Sequence, residues 1–200
     1  MSRVITTLGP EDRPAILAHL LRLSPEDRYT RFFVTLSEDL VQKYVMERMD
    51  LSKDWAFGIY EDRRLIAFVH LSNIEKSATH KAAELGISID ADRRGKHVAR
   101  MLMQRALVRC KAEGIDTLFM SCLGQNIKMQ HLARSCGMRV VTEHGEAIAD
   151  LQLEKYPLER SVCISKDAMY DSISLFDKAY RHNSRLAMDL LAPVYGEPAA

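Results

Sequence analysis

The sequence predicts an α/β protein built on one mixed sheet, and three observations carry that expectation. Residues 84–107 change from the period of a strand to that of a helix across a basic glycine turn. Residues 117–122 then form a short apolar run, a second strand expected to lie parallel to the first because a helix separates them. On both sides of this unit, alternating segments meet at short polar turns, the pattern of antiparallel hairpins. Parallel and antiparallel pairs together make an α+β mixed sheet.

Taken in order, residues 4–8 read as a first strand. Gly9, Pro10, Glu11 and Asp12 then open a helix, with carboxylates in its first turn and Ile16, Leu17, Leu20 and Leu21 on one face. Ser24 and Pro25 end it. Ser37 is placed as the N-cap of a second helix, whose apolar positions are Leu40, Val41, Tyr44 and Val45. Residues 55–60 and 65–71 are the strands of a hairpin around Glu61, Asp62, Arg63 and Arg64, and residues 72–82 read as a polar connector.

The strand that follows carries Leu85, Ile87 and Ile89 on one side and Gly86, Ser88 and Asp90 on the other. After the turn, Val98, Ala99, Leu102, Met103, Ala106, Leu107 and Cys110 form the apolar stripe of a helix that closes at Gly114. A turn so placed aims the unpaired N–H groups of a helix start, and its positive dipole end, away from the sheet, which favours phosphate. Beyond the strand at 117–122, Met129, Leu132, Ala133 and Cys136 share one face of a helix across residues 126–137. Residues 138–143 and 146–153 form the last strand pair, joined through His144 and Gly145. The tail reads as an edge segment at 161–165 and a long amphipathic helix near 171–191, with Phe176, Ala179, Tyr180, Ala187 and Leu190 inward.

Arg94-Gly95-Lys96-His97-Val98-Ala99 resembles the acyl-CoA-binding segment of the GNAT N-acetyltransferase superfamily, whose pattern is Gln/Arg-x-x-Gly-x-Gly/Ala. His97 stands where glycine is usual. The stretch from Asn126 to Met138 resembles a second pattern of that family, Asn-x-x-Ala-x-x-Leu-Tyr-x-x-x-Gly-Phe, with Ala133 in place of the tyrosine. The stretch from Ser24 to Phe33 is similar to GNAT domains related to bacterial protein-lysine acetyltransferases. The resemblance covers roughly residues 3–153 and implies the family's order: a strand, two helices, three strands, a helix, a strand, a helix and two strands. It divides the chain into an acetyltransferase domain at 1–155 and a helical extension at 156–200.

That resemblance also implies roles. Acetyl-CoA is the expected co-substrate, its pyrophosphate held by the backbone amides of Arg94, Gly95, Lys96, His97, Val98 and Ala99. A backbone N–H of the strand at residues 85–89 is expected to supply the oxyanion donor, with Ile87, Ser88 and Ile89 binding the cofactor, and the strand is expected to splay from the next one to admit the pantetheine arm. Asn126 is expected to bond the pantetheine or cap its helix. Glu84, at the strand head, is the first choice for catalytic base, with an ordinary strand-end carboxylate as the alternative. Ala133 removes the tyrosine that often protonates the thiolate, leaving water, Ser135, Tyr156 or Tyr170 as substitutes. Arg28, Tyr29 and Arg31 are placed near the acceptor, or else Tyr29, Phe32 and Phe33 pack under the sheet.

Composition narrows the classes. The 28 basic and 27 acidic residues give a net charge of +1, which calls for neither nucleic acid nor an anionic membrane as partner. No apolar run approaches transmembrane length, and the N-terminus lacks the hydrophobic segment of a signal peptide. Cys110, Cys122, Cys136 and Cys163 have no metal-type spacing and read as reduced thiols of a cytoplasmic protein. His19, His70, His80, His144 and His182 show no ligand spacing, so no metal is expected. Three readings follow, in this order. The first is an N-acetyltransferase moving acetyl from acetyl-CoA to a protein lysine or a small amine, by direct transfer in a ternary complex. The second is a non-catalytic acyl-CoA-binding sensor or regulatory module. The third is an interaction protein whose long C-terminal helix forms a homodimer face.

Overall fold

A computed structural model describes residues 3–77, 80–153 and 157–195. Among the described residues seven strands form one sheet in the order β1-β2-β3-β4-β5-β7-β6. They are β1 (Ile5–Leu8), β2 (Trp55–Glu61), β3 (Arg64–Ser77), β4 (His80–Ile89), β5 (Thr117–Leu123), β6 (Arg139–Glu143) and β7 (Glu146–Gln152). All neighbours are antiparallel except β4 and β5, which run parallel. The crossover between those two is α4 (Val98–Glu113), as the period change predicts.

Alternation along the strands sorts side chains into two cores. Phe57, Ile59, Val69, Leu71 and Leu85 pack with Val98, Leu102, Met103 and Ala106 of α4. Ala56 and Phe68, their sequence neighbours on the other face, pack with Ile16 and Leu20 of α1 (Arg13–Arg22) and Val41 of α3 (Glu38–Lys43). Burying each large apolar side chain contributes about 1.5–3 kcal/mol, so the sheet is held from both faces. Ala133, on α5 (Ile127–Ser135), joins the α4 core with Met129, Leu132 and Cys136 packed at its margin.

Three segments differ from expectation. Residues 25–32 are a helix, α2 (Pro25–Phe32), where the sequence suggests an irregular link. Leu23 caps the end of α1 and Ser24 starts the next helix: its Oγ accepts from Asp27 N–H, Pro25 leads the first turn, and Glu26 and Asp27 face the dipole. Tyr29 is 41% exposed, not packed under the sheet, while Phe32 meets the Tyr44 ring edge-on at 5.1 Å. Residues 72–82 are not a connector. Residues 72–77 extend β3 and residues 80–82 begin β4, paired antiparallel with Ser72 opposite Glu84 and Ile74 opposite Ala82, because backbone pairing does not need apolar side chains.

The described part of the tail is one helix, α6 (Pro157–Tyr195), so residues 161–165 form no strand. Its orientation is opposite to the expected one: Phe176 and Tyr180 are 76% and 74% exposed, and Ala179 is exposed as well. The buried face is polar because its partners are. Arg105 of α4 is fully buried and donates to Asp167 at 2.5 Å and Asp171 at 2.8 Å, with its guanidinium 4.0 Å from the centre of the Phe57 ring. The edge strand β1 is met as well: Thr7 N–H donates to Ser174 Oγ, and Thr6 Oγ1 to Asp177, each at 2.8 Å. Tyr156, the expected boundary at 155/156, and the side chains of Ala187 and Leu190 lie outside the described residues. Among the described residues no helix is long and apolar enough to cross a membrane.

Candidate active site

The site begins where a strand pair stops. β4 and β5 are paired over only three rungs, the last being Glu84 opposite Phe119. Beyond it β4 stays bonded to β3 and β5 to β7, so the two strands separate into a fork. Asp90 N–H donates to Ile66 O, on the β3 side. Peptide groups alternate along a strand, so the N–H groups of Ile87 and Ile89 turn the other way, into the fork. Arg94 agrees with this geometry: its Nε and Nη2 both reach Ile89 O at 3.3 Å.

At the open end of the fork lies the basic turn that precedes α4. His97 has φ of 59°, the left-handed region, and Gly95 has φ of 73°. A glycine at position 97 would be usual because the backbone requires this conformation; histidine adopts it at some cost. The first bond inside α4 runs from Met101 N–H to His97 O, which leaves the N–H groups of Val98, Ala99 and Arg100 unpaired by the helix. These three donors and the dipole of a 16-residue helix point at one place.

Fork and turn open into one cavity of about 960 Å³. Ile87, Ser88, Ile89, Arg94, Gly95, His97, Val98, Ala99 and Asn126 all line it. Glu84 and Lys96 do not. Both are exposed, Glu84 at the base of the fork outside the lining and Lys96 with its Nζ on Asp92 O at 3.3 Å. Asn126 lines the cavity and also caps α5, its Oδ1 accepting from Met129 N–H at 3.2 Å. Ser135 is at the wall, but its hydroxyl donates to Leu132 O at 2.8 Å; Tyr170 is elsewhere, 4.9 Å from the Arg105 guanidinium. Cys122 reaches the wall as a buried thiol whose pKa burial pushes up, which keeps it protonated.

Helix α2 forms the opposite wall, which the sequence did not reveal. Glu26, Asp27, Thr30 and Arg31 line it, and Arg94 donates across the cavity mouth to Asp27 Oδ1 at 2.8 Å. Arg31 lies over β4 where Gly86 has no side chain: a Cβ there would stand 2.0 Å from Arg31 Nη2. Its Nε is buried with no hydrogen-bond partner among the described residues. Arg28 turns away, toward Leu36 O at 3.5 Å.

Behind the fork lies a histidine that sequence spacing does not single out. His19 of α1 is fully buried; its Nε2 is 2.8 Å from Ser88 Oγ, and its Nδ1 is 3.1 Å from both Leu65 O and Asp90 Oδ1. Burial alone would push the Asp90 carboxyl up, but hydrogen bonds from His19 and Arg64 and the charge of Arg22 outweigh it and hold the pKa at about 2. Among the described residues no group of three or more His, Cys, Asp and Glu side chains is arranged to hold a metal ion.

Residues 17–138 match the model of the acetyltransferase (GNAT) family. The fold is shared with solved structures of low identity. The GNAT domain of S. lividans PAT superposes with a TM-score of 0.64 at 20% identity, covering 74% of this chain and 89% of that one. An N-acetyltransferase from Staphylococcus aureus Mu50 gives 0.60 at 22%, covering 77% and 100%. An acetyltransferase of the GNAT family from Streptococcus pneumoniae gives 0.60 at 13%, covering 76% and 100%.

Proposed function

This chain belongs to the GNAT acetyltransferase family, and from that premise we propose that it transfers an acetyl group from acetyl-CoA to an amine, directly and within a ternary complex. One observation carries the reading: the β4–β5 fork opens at its outer end onto the free N–H groups of α4. A ligand with a long arm and a pyrophosphate fits that line, the arm in the fork and the phosphates on Val98, Ala99 and Arg100. Arg94, Arg100 and Lys128 on the walls supply positive charge for it.

In this reading the thioester carbonyl points at the N–H groups of Ile87 and Ile89. As the amine nitrogen bonds to the carbonyl carbon, negative charge grows on the oxygen, and a fixed N–H aimed there lowers the barrier by about 3 kcal/mol. The thiolate departs along the fork as the tetrahedral centre collapses. The acceptor enters from the α2 side, past Arg31 and Asp27, and is a protein lysine or a small amine.

The test is release of free thiol from acetyl-CoA in the presence of a lysine-containing peptide, L-lysine amide and spermidine, each product weighed by mass spectrometry. Acetylation of at least one, saturable in acetyl-CoA, is expected. Binding of acetyl-CoA with no acetylated product from any of them favours the sensor reading instead, for which the specific observation is Ala133, turned fully into the core where a tyrosine is usual.

A further inference from the structure

Every polar atom of the buried His19 ring has a fixed neighbour. A carbonyl oxygen only accepts, so Nδ1, facing Leu65 O, carries a proton, and in its neutral form the ring leaves Nε2 to accept from the Ser88 hydroxyl. Asp90 stands against the proton-bearing edge and is itself held by Arg64 at 2.5 Å and Arg22 at 3.3 Å. The Phe68 ring closes another side edge-on, at 5.5 Å between centroids. The ring therefore meets β3 through Leu65 O and Phe68 and β4 through Ser88, with Asp90 just beyond that strand. The cations of α1 and β3, Arg22 and Arg64, face the carboxylate.

Of these groups only Ser88 lines the cavity. It lies on β4 between Ile87 and Ile89, the two residues whose N–H groups enter the fork, and its side chain faces α1, on the same side of the sheet as Gly86 and Arg31. Glu84 is exposed and outside the lining, and of the polar side chains that do line the cavity, Ser88 is the one set between those two N–H donors.

We propose that Ser88 is the catalytic proton carrier of the acetyl transfer, with His19 and Asp90 as positioning residues that draw its proton inward. The inference rests on the acetyltransferase reading above. As the amine nitrogen bonds to the acetyl carbon, its proton passes to Ser88 Oγ while the serine proton moves to His19 Nε2. The imidazolium is stabilised by Leu65 O and Asp90. When the C–S bond breaks, sulfur keeps the electron pair, and the proton returns from His19 through Ser88 to that thiolate. Nothing is oxidised or reduced. One device thus takes the proton from nitrogen and delivers it to sulfur, which is why Ala133 need not be a tyrosine.

The experiment is a pH profile of kcat for wild type, Ser88→Ala, Ser88→Thr, His19→Gln and Glu84→Gln. The acceptor is the lysine peptide or L-lysine amide, and thermal midpoints and acetyl-CoA Kd are measured on every variant. Ser88→Ala is expected to lower kcat roughly a hundredfold with Kd unchanged, and to remove the acid limb of the wild-type profile. Ser88→Thr, which keeps a hydroxyl, is expected to recover most of the rate. A purely structural role for His19 shifts thermal midpoints and leaves the pH profile in place. Wild-type rates at every pH in Ser88→Ala, or an acid limb lost in Glu84→Gln alone, overturn the relay but not the transfer reaction. A wild type that acetylates neither acceptor overturns both.

Discussion

Arg94, in the basic turn before α4, is held by Asp27 of α2 at 2.8 Å, so one ion pair spans the mouth of the cavity. Burial would raise the Asp27 pKa, but the hydrogen bonds from Arg94 and Ser24 dominate and lower it, so the carboxylate stays charged. In the proposed binding mode an incoming pyrophosphate competes with that carboxylate for the guanidinium. Asp27→Asn is therefore expected to tighten acetyl-CoA binding roughly threefold to fivefold, with the gain shrinking as salt is added. Calorimetry at two ionic strengths measures this. An unchanged Kd would separate the ion pair from the phosphate site.

His97 holds a glycine conformation with a side chain present, φ being 59°. A non-glycine residue in the left-handed region costs about 1–2 kcal/mol, and glycine gives back about half of that through the entropy of the unfolded chain. His97→Gly is expected to stabilise the protein by about 0.5–1 kcal/mol and to leave acetyl-CoA binding in place, since the donors are backbone groups. Urea unfolding and calorimetry on the same preparation check the two halves.

Arg105 is sealed between α4 and α6, with Asp167 and Asp171 as its counter-charges and the Phe57 ring against its face. Burial lowers its pKa and the carboxylates oppose that shift. Asp167→Ala leaves a buried charge short of a partner and is expected to cost about 3 kcal/mol in chemical denaturation. A loss below about 0.5 kcal/mol would mean that water reaches the guanidinium and that α6 is not anchored there.

The pH dependence of stability has a clear direction at Asp90. Its carboxyl titrates near pH 2 in the folded chain against a reference of 3.8. The unfolded chain binds the proton first, so the contribution is complete above about pH 4 and is lost as the pH falls toward 2. It amounts to about 2 kcal/mol. Asp90→Asn is expected to be less stable at neutral pH and to show a flatter stability curve between pH 4 and 2, measured by urea unfolding at fixed pH.

Much of the scaffold was legible because it depends on periodicity. The change of period between Ile89 and Val98 locates the fork strand, the turn and α4, and the spacing of Met129, Leu132 and Ala133 locates α5. What periodicity cannot report is which stripe of a helix is covered. On α6 the apolar stripe containing Phe176 and Tyr180 faces outward, because Arg105 and the Thr6–Thr7 edge need the carboxylates and hydroxyls of the other face. Helix α2 was missed because it is eight residues long and buries no residue fully. Nor does spacing connect His19 with Ser88, which are 69 positions apart and meet only once α1 docks on the sheet.

The first measurement is a calorimetric titration of the protein with acetyl-CoA, with desulfo-coenzyme A and adenine nucleotides as controls. Micromolar binding that weakens sharply when the pantetheine arm is missing is the expected result if, as proposed, the fork holds the arm and α4 the phosphates. Absence of binding at millimolar acetyl-CoA would contradict it, and would mean that the His97 side chain closes the phosphate turn.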